Sequence, residues 1–330
     1  MKNIRHFGAA LAAVAVLWGA TSAGAQAAEP KKVTFLTNYV FNGRHAPFFV
    51  GVEKGFYKEA GLDVAIAPAT GSGFVITAVD SGKADFGMAD FGSVTQGVAK
   101  GAKVKAFSVY TDITTNGLAS LSPVPTPADV IGKKLAAGQT DSVRVILPII
   151  FDAHKLDPAK IEWQAADPSV YFSLLLSGQV DMFTATSDGD VPALVKAADQ
   201  QGKKVSFASF AAWGYDVFGF VLLGSRDAVE KNPAEAAGFA AATKKAVEYS
   251  IAHPDEAAAI MVKYNPTMSL DTVKAQLAGA LQAMQTPYVA KNGYGVATDE
   301  RLKHSIDLVK TALKLTADVT PAQVFVQLGK

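Results

Sequence analysis

The sequence predicts a two-lobed α/β protein: two parallel or mixed sheets with flanking helices, hinged around a central cleft. Strand-like and helix-like segments alternate through most of the 330 residues, which implies parallel strands joined by helical crossovers. The stretch Ser122-Pro123-Val124-Pro125-Thr126-Pro127 separates one alternating series from a second. A lone apolar strand at 218–223 is followed only by helices, so it must pair with something earlier. The economical path leaves the first lobe near Thr111, builds the second, and returns near Val217. That gives lobe one as 28–112 plus 217–330 with a helical C-terminal part, and lobe two as 113–216. Two crossing segments make a hinge. Ligands of open α/β sheets bind beyond the carboxyl ends of the strands, so both sets of ends should face one cleft that closes about the hinge.

Each element has its own signal. Residues 33–39 read as a buried strand. A helix follows over 46–60, because Phe48, Phe49, Val52 and Phe56 recur at helical spacing. Gly61 sits where a glycine closes a helix. The next strand is 62–67. Gly71-Ser72-Gly73 is a tight loop into a short helix at 74–81, closed by Gly82. Strand 84–88, helix 92–99 and strand 104–110 complete the first series. The second contains strand 134–137 and a helix at 142–154. Pro148 lies inside that helix and should kink it or move its start later. Strand 161–165, helix 169–177, strand 180–185, helix 191–198 and strand 205–207 follow. The last third holds helices at 233–252, 254–264, 270–284 and 300–315. Pro233 and Pro254 occupy first-turn positions, where proline is tolerated. Pro321 opens a short terminal helix.

Composition removes several classes of function. The net charge is +1, which suggests neither nucleic acid nor an anionic membrane as partner. Hydrophobic residues make up 49%, enough to build real cores. There is no cysteine, so there is no disulfide, thiolate metal site, cysteine nucleophile or lipidated cysteine. Residues 1–27 read as a signal peptide. Lys2 and Arg5 supply the positive region, 7–20 is apolar, and Ala23-Gly24-Ala25 and Ala25-Gln26-Ala27 fit small-x-small cleavage. The apolar run of about 14 residues falls short of the roughly 20 that span a membrane. The expectation is a periplasmic, non-lipidated monomer without a membrane anchor.

Catalytic signatures are missing: no H-E-x-x-H, Walker A loop, G-x-S-x-G or G-x-G-x-x-G after a strand. His45, His154, His253 and His304 share no ligand spacing, so neither metal nor cofactor is expected. The loops after the strands are more informative. Asn38, Tyr39, Asn42, Arg44 and His45 gather amides, an imidazole, a guanidinium and an aromatic at one helix entry, the mixture a binding pocket uses. Ser72 and Gly73 form a second entry, where a ligand can approach the backbone or the chain can simply turn. Asp90 and Phe91 follow the third strand, and Asp90 or Ser93 can cap the next helix. In lobe two, Thr140, Ser142 and Arg144 follow a strand, and Arg144 either enters the cleft or pairs with Asp141. Tyr171 stands one turn into another helix. Asp188 or Asp190 can accept from a ring N–H or an exocyclic amine, or cap a helix. Trp213 and Tyr215, near the return crossing, can stack on a flat ligand or pack the hinge.

Gly43-Arg44-His45-Ala46-Pro47-Phe48-Phe49-Val50 and Glu53-Lys54-Gly55-Phe56-Tyr57-Lys58-Glu59-Ala60-Gly61-Leu62-Asp63-Val64 resemble the opening of the nitrate/sulfonate/taurine and thiamine-pyrimidine binding proteins of ABC transporters. Ser81-Gly82-Lys83-Ala84-Asp85-Phe86-Gly87, Ile131-Gly132-Lys133-Lys134-Leu135 and Leu176-Ser177-Gly178-Gln179-Val180-Asp181 continue the resemblance in order. It implies a type II periplasmic binding protein that delivers a small ligand to an importer permease and performs no chemistry. The G-x-H-A-P-F-F form of the first loop resembles the branch that binds hydroxymethylpyrimidine-type thiamine precursors and related nitrogen heterocycles. In that branch stacking and a lobe-two carboxylate hold the ligand, which implies roles for Asn38, His45, Tyr171 and Asp188. A sulfonate, nitrate or other small anion is the alternative, with Arg44 and Arg144 as its cations. A pyrimidine synthase with this fold carries a cysteine-rich iron motif, which this chain lacks.

Overall fold

The computed structural model describes residues 29–328, and the expected signal peptide lies outside the described residues. The strands are β1 (Lys31–Leu36), β2 (Leu62–Ala67), β3 (Phe86–Asp90), β4 (Val104–Val109), β5 (Asn116–Ser120), β6 (Lys134–Ala136), β7 (Glu162–Gln164), β8 (Met182–Thr186), β9 (Ser206–Ser209) and β10 (Phe220–Ser225). They form two five-stranded sheets of matching plan, β2-β1-β3-β10-β4 and β7-β6-β8-β5-β9. Both sheets are mixed. In the first, β10 runs antiparallel between β3 and β4. In the second, β5 runs antiparallel between β8 and β9. Each reversed strand is the one that arrives from the other lobe. The chain therefore crosses twice, and the carboxyl ends of β1, β3, β6 and β8 face each other across one cleft.

Local chemistry explains the elements. β3 and β4 are buried along their whole length, as expected of strands covered on both faces. The helix expected over 46–60 is interrupted. Gly55 adopts φ 75 and divides it into Ala46–Glu53 and Phe56–Glu59, a left-handed conformation that glycine accepts without strain. Pro148 neither delays nor ends the helix Val143–Ala153. Helices Pro233–Ala252 and Pro254–Tyr264 begin at their prolines. On one face of the first sheet, Phe35, Phe48, Phe86 and Phe239 interlock, with Phe35 4.5 Å from Phe48 and 5.1 Å from Phe239 between ring centres. A second apolar cluster runs through both lobes behind the hinge and includes Phe91, Ile150, Tyr215, Phe218 and Ile306. Among the described residues no helix is long and apolar enough to cross a membrane.

Candidate functional site

The first loop is built around a histidine whose two nitrogens are both engaged. Asn42 opens the short turn Gly43–His45, and its Oδ1 accepts from the Arg44 amide at 3.1 Å. His45 Nδ1 accepts from the Asn42 amide at 3.2 Å. Its Nε2 must then carry the proton, which it gives to Asn38 Oδ1 at 3.0 Å. Burial, helped by the Arg44 charge, holds this imidazole well below its usual pKa, so it is neutral. It frames the loop and does not face the cleft cavity.

Arg44 crosses the cleft. Its Nε donates to Asp188 Oδ2 at 2.5 Å, and its Nη2 donates to Asp188 Oδ1 and to Thr186 Oγ1 at 2.6 Å each. Both charged side chains are 1% exposed. The guanidinium lies 4.7 Å from the ring centre of Phe220, where β10 starts at the hinge. Gln276 adds a second bridge: its Oε1 accepts from Gly43 at 2.8 Å, and its Nε2 donates to the carbonyl of Gly189. A two-pronged, desolvated ion pair of this kind is strong only while both partners stay together.

Beyond this pair lies a cavity of about 20 Å³ between the lobes. Lobe one contributes Asn38, Tyr39, Asn42, Arg44, Gly71 and Ser72. Lobe two contributes Asn116, Asp141, Ser142, Thr184, Ala185, Thr186 and Asp190. Room for about one water is too little for a six-membered ring, so a solute of that size needs the lobes further apart than here. Asp141 Oδ1 accepts from the Val143 amide at 3.0 Å and Thr184 Oγ1 at 3.3 Å. Asp190 Oδ2 accepts from the amide and hydroxyl of Thr186. Burial pushes Asp141 up to about 6 and raises Asp190 as well. Asp90 sits close by. Its Oδ1 caps the helix Phe91–Ala99 through the Ser93 amide at 2.9 Å, while Oδ2 has no partner. Burial drives Asp90 up to about 7. Tyr39 Oη and Asn116 Nδ2 are buried without partners too. At the mouth, the Gly73 amide donates to the Thr140 carbonyl at 2.9 Å, and Thr140 Oγ1 donates to the Thr70 carbonyl at 3.2 Å.

The structure therefore divides the expected residues. Asn38, Tyr39, Asn42, Arg44, Ser72 and Ser142 meet at the cavity, with Gly73 and Thr140 at its mouth. Asp188 is committed to Arg44. Arg144 turns back on its own lobe: Nε donates to Gly138 O at 2.6 Å, Nη2 to Ala137 O at 2.8 Å, and the group lies over Trp163. Tyr171 offers no ring face to the cavity. Its ring packs on Phe183 at 5.3 Å, and its hydroxyl accepts from the Gly138 amide at 2.6 Å. Phe91 packs against Phe218, and Asp90 lies just below the cavity wall. Trp213 packs on Phe210 and donates to Pro125 O at 3.1 Å, away from the cavity. Asn116, Thr184, Thr186 and Gln276 were not among the expected residues. Asn116 opens β5, whose Asn-Gly-Leu-Ala-Ser composition carries little strand signal. Gln276 sits on the helix Leu270–Ala283, far away in sequence, and only the fold brings it to the loop. Among the described residues no group of His, Asp and Glu is arranged to hold a metal ion.

Comparison with known proteins accords with this architecture. A family model described as NMT1/THI5 like matches residues 42–257. The chain is 26% identical over 251 residues to the 4-amino-5-hydroxymethyl-2-methylpyrimidine phosphate synthase of Candida albicans (strain WO-1), covering 73% of each chain. Among solved structures, a protein from Bordetella bronchiseptica RB50 superimposes with a TM-score of 0.72 at 21% identity, covering 91% of this chain and 95% of that one. The alkanesulfonate-binding protein SsuA from Xanthomonas axonopodis pv. citri, bound to MOPS, superimposes with a TM-score of 0.69 at 14% identity, covering 91% and 99%. The fold is that of the periplasmic binding proteins.

Proposed function

The chain belongs to the NMT1/THI5-like family, and from that premise we propose that it is the extracytoplasmic solute-binding component of an ABC importer. Its ligand is a hydroxymethylpyrimidine-type nitrogen heterocycle, taken into the interlobe cleft without chemical change and handed to a permease. The solute enters with the lobes apart, and rotation about the two crossings brings both loop sets onto it. Closure is then a population shift driven by contacts that only the closed form makes.

The observation that carries this reading over an anion is the state of the two arginines. Arg44 gives Nε and Nη2 to Asp188 and Thr186, and Arg144 gives Nε and Nη2 to Gly138 and Ala137. Besides Arg44, whose charge Asp188 matches, the polar groups around the cavity are carboxylates, amides and hydroxyls, which suit a ring bearing N–H groups and ring nitrogens. Two points speak for binding without catalysis. Both nitrogens of His45 are held in hydrogen bonds. The chain also has no cysteine for the iron motif that the resemblance associates with pyrimidine synthesis.

The test is a thermal-shift screen against thiamine precursors, other pyrimidines, flavins, sulfonates, nitrate and small carboxylates. A ligand at 100 times its Kd adds roughly 2.7 kcal/mol, a rise of several degrees. A shift confined to sulfonates or nitrate would reject the heterocycle and favour the anion. Turnover of a pyrimidine precursor would reject the binding-protein reading itself.

A further inference from the structure

We propose that the cleft selects its solute as a cation: an amidine-type group, a protonated aminoazine included, whose N–H donors face Asp141 and Asp190 while an acceptor on the same solute faces Asn116 Nδ2. This deepens the solute-binding reading and rests on it. The acidic pair alone would be an ordinary polar wall. The second observation is Asn116. It is 3% exposed, lines the cavity, and its amide nitrogen has no partner. A buried donor left unpaired destabilises the fold, and a solute acceptor would remove that cost. The hydroxyl of Tyr39, also unpartnered, lies in the same wall.

Charge counting gives the sign. The groups facing Asp141 are Tyr39, Tyr171, Asp90, Asp190 and Arg144, and those facing Asp190 are Arg44, Asp188, Asp141, Tyr39 and Tyr171. Arg44 is already matched by Asp188. Arg144 gives Nε and Nη2 to carbonyls of its own lobe. Two carboxylates near each other are thus left without a dedicated counter-charge in a desolvated space. Burial raises the proton affinity of both, with Asp190 adding to it at Asp141 and Asp188 adding to it at Asp190. A cation with two or more N–H donors supplies the missing charge and hydrogen-bonds carboxylate oxygens, whereas an anion meets repulsion from both.

Calorimetric titration of the purified protein tests this. The probes are benzamidine, its neutral near-isostere benzamide, 4-amino-5-hydroxymethyl-2-methylpyrimidine and methanesulfonate. Benzamidine should bind at least about tenfold more tightly than benzamide. Asp141→Asn and Asp190→Asn should each weaken benzamidine and the aminopyrimidine by about tenfold or more, and methanesulfonate should give no heat. The wild-type ratio of benzamidine to benzamide decides the matter even where a variant folds poorly. A ratio near one overturns the proposal. If the aminopyrimidine binds the Asp141→Asn and Asp190→Asn variants as well as the wild type, cation selection falls and the heterocycle reading stands. If methanesulfonate binds and both nitrogen compounds do not, both readings fall together.

Discussion

Replacing Asp188 by Asn tests whether the buried ion pair belongs to the fold or to the hinge. Arg44 comes from lobe one and Asp188 from lobe two, and each is 1% exposed. In Asp188→Asn the guanidinium keeps its burial and loses its counter-charge. Breaking such a pair costs about 3–5 kcal/mol when the remaining charge has no escape. Here it has one, because parting the lobes returns Arg44 to water. The substitution should therefore lower the closed population relative to the open one by roughly a hundredfold or more, opposed by the apolar seam around Phe91, Ile150 and Phe218 and by the Gln276 and Thr140 bridges. The chain contains no cysteine, so Lys83→Cys and Lys133→Cys, at exposed positions on different lobes, accept spin labels without background. Pulsed electron resonance should show a longer and broader interlobe distance in Asp188→Asn. The melting temperature should drop by less than a fully trapped charge would cause, at about 2–4 °C per kcal/mol for a protein of this size class. An unchanged distance with the whole drop in melting temperature would refute the hinge assignment. No change in either would mean that the pair contributes nothing.

Other perturbations separate structure from recognition. Tyr171→Ala should lower stability by about 3–5 kcal/mol, because its ring fills space against Phe183. Tyr171→Phe should lose only the acceptor for the Gly138 amide, and denaturant melts distinguish the two. Gly71 adopts φ 141, and a Cβ there would stand 2.3 Å from the Thr140 carbonyl. Gly71→Ala should hold the mouth open and lengthen the same interlobe distance. Asp90 has the opposite sign from a paired carboxylate: burial raises it from 3.8 to about 7. The folded state thus holds the proton more tightly. The stability this contributes is complete below pH about 4 and lost as the pH rises through about 7. Asp90→Asn, which keeps an Oδ1 for the Ser93 amide, should raise stability at neutral pH by no more than roughly 4 kcal/mol. It should also flatten that decline in chemical melts across pH.

What could be read from the sequence depended on how much of each signal was local. The helices Pro233–Ala252 and Pro254–Tyr264 announce themselves by proline at the first turn and by their length. β10 declares itself as an apolar strand with no neighbour, and that isolation exposed the two-lobed path. β5 gives no such sign. Asn116-Gly117-Leu118-Ala119-Ser120 has poor intrinsic strand preference, yet it is buried throughout because β8 and β9 pair with it from both sides. The first loop was legible as a concentration of polar groups. Its division of labour was not, because nothing near Arg44 in sequence says that Asp188 will stand opposite it. Tyr171 is ambiguous in the sequence for a similar reason. One turn into a helix beside the cleft, its ring could turn toward a ligand or toward Phe183, and only packing decides.

That division of labour has a physical logic. Near the hinge, motion is small and the cleft is dry, so a charge left there must be matched. Arg44, Asp188, Thr186, Gln276 and Phe220 satisfy each other at that end. Farther out, Asp141, Asp190, Asn116 and Tyr39 leave hydrogen-bonding capacity unused or lack counter-charge. At the mouth, Gly73 and Thr70 hydrogen-bond Thr140, and Gly71 packs against it. A rotation about the crossings moves the mouth most and the ion pair least. A solute can therefore be admitted between them by a motion that frees the incomplete middle before it exposes the buried pair. Recognition then falls to the residues that the protein leaves unsatisfied. Residues already held in place, His45 by bonds at both ring nitrogens and Arg44 by Asp188 and Thr186, fix where those unsatisfied groups point.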